Sequence, residues 1–185
     1  MVATRWLQSH EEEIVRAWLE KVAATYPSHM AKFLLSERDQ FRNPAGFTFR
    51  QHLPKLFRGI AEGADPATLK ESIDAIVRLR AVQDFSPSEA VGFVFMLKEA
   101  VREACPSWNS EEGAGEFLGR VDGLALQAFD AYSACREKIF AIKADEAKRK
   151  LYILERIYGT AEAAENGGGS APEPQVGIRK DGRCQ

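Results

Sequence analysis

Two arginines separated by one residue, Arg78 and Arg80, are followed by Asp84 one helical turn after Arg80 and then by Glu89. A guanidinium is a rigid fork of donors that matches the oxygens of a carboxylate or phosphate, so this cluster has two uses. It can lock a helix junction as an internal ion pair, or form a cationic wall that holds an anionic signal molecule or a partner's carboxylate. Phe85, Val91 and Phe95 follow, and helical spacing puts Val91 and Phe95 on the side that later carries Lys98 and Arg102. That pair is expected either under a neighbouring helix or exposed as a contact patch. Gly92 between them permits close packing or leaves room for a cavity.

Other patterns that carry chemistry are missing from the chain. It has no glycine-rich phosphate loop, no GxSxG turn and no HExxH pair. His10, His29 and His52 are isolated and read as surface or packing residues. Cys105, Cys135 and Cys184 are far apart, without CxxC or Cys/His spacing, so neither a disulfide framework nor a zinc site is indicated. Glu11 to Glu13 and Glu111-Glu112 lie near helix starts, where the helix dipole favours negative charge. The expectation is a non-catalytic chain with no catalytic residues, no metal and no cofactor. With 25 Lys and Arg against 27 Asp and Glu, the net charge of -2 disfavours nucleic acid as a partner. The N-terminus MVATRWLQSHEEEI has no signal-peptide core and no apolar run spans a bilayer, so a cytoplasmic protein without membrane insertion is expected.

The elements that must position the arginine cluster read as helices throughout. Residues up to Tyr26 place Leu7, Ile14, Val15, Trp18, Leu19 and Val22 on one face, and Pro27 ends that run. Ser28 to Leu35 form a short helix with Met30, Phe33 and Leu34 inward. Asn43-Pro44 and Gly46 mark a turn before a third helix that reaches about Glu62, with a kink or restart expected at Pro54. The fourth helix has Leu69, Ile73, Ile76 and Val77 on its core face, and Arg80 falls on that same face. An unpaired charge there would be costly.

The helix after it is central. Ser86 is an N-cap, Pro87 the first helical residue and Glu89 the acidic member of a capping box. Ala90 to Leu97 are apolar on every face, which describes a helix surrounded by others. Ser110 is a candidate cap for the last helix, whose inward stripe includes Phe117, Val121, Leu124, Ala128, Phe129 and Tyr132. Phe140, Ala144, Ala147, Leu151, Leu154 and Tyr158 extend the stripe with no proline or glycine before Gly159. An apolar end at Leu151, Leu154, Ile157 and Tyr158 is unfavourable in water, so dimerisation, partner docking or folding back is expected there. From Glu165 the chain is rich in Gly, Pro and polar residues and is expected to be disordered.

The string RLRAVQDFSPSEAVGFVF from Arg78, with Phe41-Arg-Asn-Pro-Ala-Gly46 and Trp18-Leu19 before Tyr26-Pro27, resembles the N-terminal sensor domain of the RsbT co-antagonist protein RsbRD. The similarity covers roughly Leu7 to Phe140. It implies an all-α, globin-like helical bundle similar to the non-haem sensors of bacterial stress-response assemblies, acting through a final helix without chemistry of its own. In such proteins that helix leads to a STAS domain, whereas here a Gly/Pro tail follows Tyr158, which points to a stand-alone sensor or adaptor. Haem is not expected, because no histidine follows His52 to serve as a late-helix ligand.

Together these readings describe an all-α, globin-like bundle of about six helices with a long C-terminal helix. Residues 1-142 form the sensor-like bundle, 143-159 the extension of the last helix and 160-185 the tail. The expected function is cytoplasmic signalling through a protein partner, a small-molecule signal or self-association as a dimer. The alternative is an assembly factor or accessory subunit that docks through its last helix and tail.

Overall fold

Seven helices and no strand account for the regular structure of residues 2–108 and 112–166, the part of the chain that the computed structural model describes. The N-terminal run is two helices, α1 (Val2–Ser9) and α2 (Glu11–Ala24), where one was expected. His10 causes the break: its ring stacks on Trp6 at 4.3 Å, and its Nδ1 lies 2.9 Å from the Trp6 carbonyl. The Ser9 hydroxyl donates to that same carbonyl at 2.8 Å, and the His10 amide is shared between the carbonyls of Trp6 and Leu7, so α1 closes in a tightened last turn. This break makes the helix number seven instead of about six.

The next helix, α3 (Ser28–Ser36), buries only Leu34. Met30 and Phe33, expected inward, are exposed because this nine-residue helix has one narrow contact face. That face is fixed by Asn43, which is buried and donates to the carbonyls of Phe33, Leu34 and Glu37. Its Oδ1 accepts from Gly46 N at 2.9 Å, so one side chain ends α3 and caps α4 (Pro44–Glu62). A Cβ at Gly46 would lie 2.6 Å from the Leu34 carbonyl, which excludes any larger residue without movement.

Helix α4 continues through Pro54 and does not restart there. Proline forfeits one backbone bond, but Phe49, Leu53, Leu56 and Phe57 are buried on both sides of it and hold the flanking turns. At about 1.5–3 kcal/mol for each large side chain buried, their packing outweighs the local loss. The helix ends at Gly63 in the left-handed conformation, φ 70°, as a helix C-terminus requires. Asp65 then caps α5 (Pro66–Val82), accepting from Ala67 N.

In α6 (Pro87–Ala104) the capping box forms as the sequence indicates. The Ser86 hydroxyl accepts from Glu89 N, and the Glu89 carboxylate accepts from Ser86 N at 2.9 Å. Phe93, Val94, Leu97, Ala100 and Val101 are fully buried in the core. Trp18 Nε1 donates to the Phe93 carbonyl at 2.6 Å, tying α2 to α6. Trp108, in the turn after α6, is buried against Trp6 and Phe117, so that turn belongs to the core as well. The proposed cap at Ser110 lies outside the described residues.

The last helix, α7 (Ala114–Asn166), is 53 residues long. Contacts divide the chain into two units, Met1–Phe140 and Ala141–Gln185. The first contains the core just described. In the second, every described side chain from 141 to 156 is exposed. The disordered tail was expected from 160, but α7 continues through Gly159 to Asn166, and the rest of that expectation, from 167 onward, lies outside the described residues.

Candidate functional site

Helical periodicity puts Arg80 at the end of α5 on the face that carries Ile73, Ile76 and Val77, and the structure leaves that guanidinium with no solvent exposure. Its Nη2 donates to the Thr25 hydroxyl and to the Glu89 carbonyl, both at 3.1 Å. Its Nε and Nη1 are buried with no hydrogen-bond acceptor among the described residues. Two aromatic faces enclose it, the Phe85 ring at 4.2 Å and the Tyr26 ring at 5.6 Å from the guanidinium carbon. Cation–π contact is worth up to about 2 kcal/mol in a desolvated setting. Each orphaned donor costs about 1–3 kcal/mol, and a buried charge without a counter-ion several more. The cage therefore holds a cation whose demands are only partly met.

Electrostatics agree with the geometry. Burial pushes the Arg80 pKa down, opposed by the nearby Tyr26 and Glu89. Burial pushes the Tyr26 phenol up, which keeps it neutral, and it donates to Gln83 Oε1 at 2.8 Å. Glu89 is held below the usual carboxylate range chiefly by its hydrogen bond from Ser86, with Arg80 adding a smaller effect. Its carboxylate serves the helix cap and makes no ion pair with the guanidinium.

The internal pair anticipated between the arginines and Asp84 does not form. Arg78 is exposed. Asp84 takes the left-handed conformation, φ 58°, which aspartate tolerates better than most residues, and pairs with Arg136 of α7 at 3.1 Å. Arg136 also donates to the Ala81 carbonyl, and the Tyr132 hydroxyl donates to the Phe85 carbonyl at 2.6 Å. The end of α5 and the turn that carries Phe85 are thus fastened to α7 at three points, two of them in the turn. Val91 is buried, whereas Phe95 is 45 % exposed with Lys98 Nζ 5.5 Å from its ring. The structure separates Phe95 and Arg78 from Arg80, Phe85 and Tyr26 by exposure.

Thr25, Tyr26, Tyr132 and Arg136 were not singled out from the sequence as partners of Arg80 or Phe85. They come from helices distant in the chain, and the unusual placement of Arg80 on an apolar stripe was the signal that such partners must exist. Open grooves lie elsewhere on the described surface. One of about 580 Å³ is lined by Glu11, Glu12, Glu13, Arg16 and Arg58. Another of about 410 Å³ runs between Ile73 and Ala131, with Lys70, Asp74 and Asp130 beside it. Among the described residues no group of three His, Cys, Asp or Glu side chains is placed to hold a metal ion, and no described helix is long and apolar enough to cross a membrane. Of the terminal strip, Leu151 and Leu154 are exposed, and the side chains of Ile157 and Tyr158 lie outside the described residues.

This architecture defines an all-helical domain with a caged cation wired to its final helix. Residues 12–147 match the family described as RsbT co-antagonist protein rsbRD N-terminal domain, and the chain belongs to that family of regulatory domains. An uncharacterized protein of Archaeoglobus fulgidus is 23 % identical over 147 residues, which are 79 % of this chain and 90 % of that protein. No solved structure matches.

Proposed function

We propose that this regulatory domain is a non-catalytic, cytoplasmic signalling module that senses by binding at the Arg80 cage and reports through α7. The observation that carries this reading is the double role of Phe85: its ring covers Arg80 and its carbonyl is held by Tyr132 of α7. An anionic ligand or a partner carboxylate that reached Nε and Nη1 would satisfy both orphaned donors. To do so it must displace the Phe85 ring, and the Tyr132 and Arg136 contacts would be disturbed in the same event. The differential affinity that any such switch needs is supplied by the donors, which have acceptors only in the liganded state. Residues beyond Phe140, with Leu151 and Leu154 exposed, are the proposed output surface for a protein partner or a second copy. The same strip would serve an accessory subunit docking into a larger assembly.

Hydrogen exchange tests the relay without knowledge of the ligand. Phe85→Ala should raise exchange at the α7 amides from 132 to 140 well above any change in α2. Unchanged protection in α7 with a folded bundle would remove the basis for coupling.

A further inference from the structure

The exposed strip on α7 has a register. Phe140, Ala144, Ala147, Leu151 and Leu154 recur at alternating intervals of four and three, and positions 158 and 161 continue the series. That is heptad spacing, with Ala144, Leu151 and 158 at a and Ala147, Leu154 and 161 at d. Leu151 is 60 % and Leu154 48 % exposed, so the seam of the single chain is open. Tyr152 and Ile153 fall at b and c, outside it.

We propose that residues 144–161 pair with the same segment of a second copy, running antiparallel. This deepens the reading of the segment as an output surface by naming its occupant. Charge decides the direction. Lys143, Lys148, Arg149 and Lys150 outnumber Asp145 and Glu146 before the leucines, while Glu155, Glu162 and Glu165 outnumber Arg156 after them. An antiparallel pair lays the basic half of one helix on the acidic half of the other. With Leu151 opposite the second copy's Leu154, Ala147 faces position 158 and Ala144 faces 161. The flanking e positions then set Lys148 against Glu155 twice, once on each side of the two-fold axis. Sliding by one heptad either way would bring Lys148 or Glu155 against its own copy. A parallel pair would place Lys143 beside Lys148, a repulsion that cancels the attraction of Lys150 for Glu155 and leaves no net gain from charge. Lys148 is highly exposed and its nearest acidic neighbour, Asp145 at 3.6 Å, is on the same helix, so it can turn to an incoming carboxylate.

Sedimentation equilibrium of the full chain over a concentration series tests this directly, with Lys148→Glu, Glu155→Lys and the double exchange as variants. All three lie on an exposed surface, and the melting curve of each confirms that the bundle is intact. The expected result is a wild-type dimer, a dissociation constant raised roughly tenfold in each single variant and restored in the double one. In a parallel dimer Lys148→Glu would tighten association, because the introduced carboxylate would then meet Lys143. Tightening, a wild-type chain that stays monomeric, or a double variant no better than the singles would each overturn the proposal. The relay is judged separately, by exchange at residues 132 to 140, so either idea can fail alone.

Discussion

The Phe85 ring lies 4.2 Å from the guanidinium carbon of Arg80 and closes the buried cation off from water. One residue thereby links the α5–α6 turn, through its ring, to the core and, through its backbone carbonyl, to Tyr132 of α7.

Phe85→Ala removes that cover. We expect a loss of about 2 kcal/mol in urea denaturation, the sum of a half-buried ring and its cation–π contact. The loss should be accompanied by the exchange change in α7 described above.

Arg80→Met keeps the length and removes the charge with its unpaired donors. Apolar replacement of buried ionic groups is often neutral or stabilising, so denaturation should show no loss, or a gain of about 1–2 kcal/mol. Acetate, used as a carboxylate probe at constant ionic strength, should raise the wild-type melting temperature above its value in chloride and leave Arg80→Met unchanged. A loss above about 3 kcal/mol in the variant would identify Arg80 as a structural lock.

Asn43→Ala should cost about 2–3 kcal/mol, since it deletes the α4 cap and leaves the buried Leu34 carbonyl short of a donor. Thermal melting with α3 exchange checks this, and α3 should lose protection first.

His52 gives a pH dependence. It is buried beside Ser72 at 3.0 Å, and burial, with Lys55 adding to it, lowers its pKa from the ordinary 6.5. The native state therefore binds its proton less readily than the unfolded chain does. Stability is unaffected well above pH 6.5 and falls as pH drops from there toward the lowered native value. His52→Gln should flatten that part of the pH–stability profile measured by denaturation, once Ser72 has an amide partner.

Much of the bundle was legible because its signals are local. The Ser86-Pro87-Glu89 start of α6 depends only on neighbours within one turn, as do the Asp65 cap and the apolar stripe of α5. The break at His10 escaped a periodicity argument because it arises from a ring stacking on Trp6 and a carbonyl shared within a turn. Met30, Phe33 and Phe129 have the right chemistry for the core but stand on faces that no other element covers.

The candidate site divides along the same line. The sequence by itself determined that Arg80 points into an apolar face, because helix geometry leaves it no other side. It could not determine the partner of that charge. Asp84 was nearest along the chain, yet the left-handed turn at Asp84 directs its carboxylate to Arg136, fifty-two residues later. Thr25, Tyr26 and the Glu89 carbonyl reach Arg80 only after α2, α5 and α6 pack together. Local propensities act over one turn of helix, whereas a buried charge is satisfied by whatever groups packing brings within about 3 Å of it.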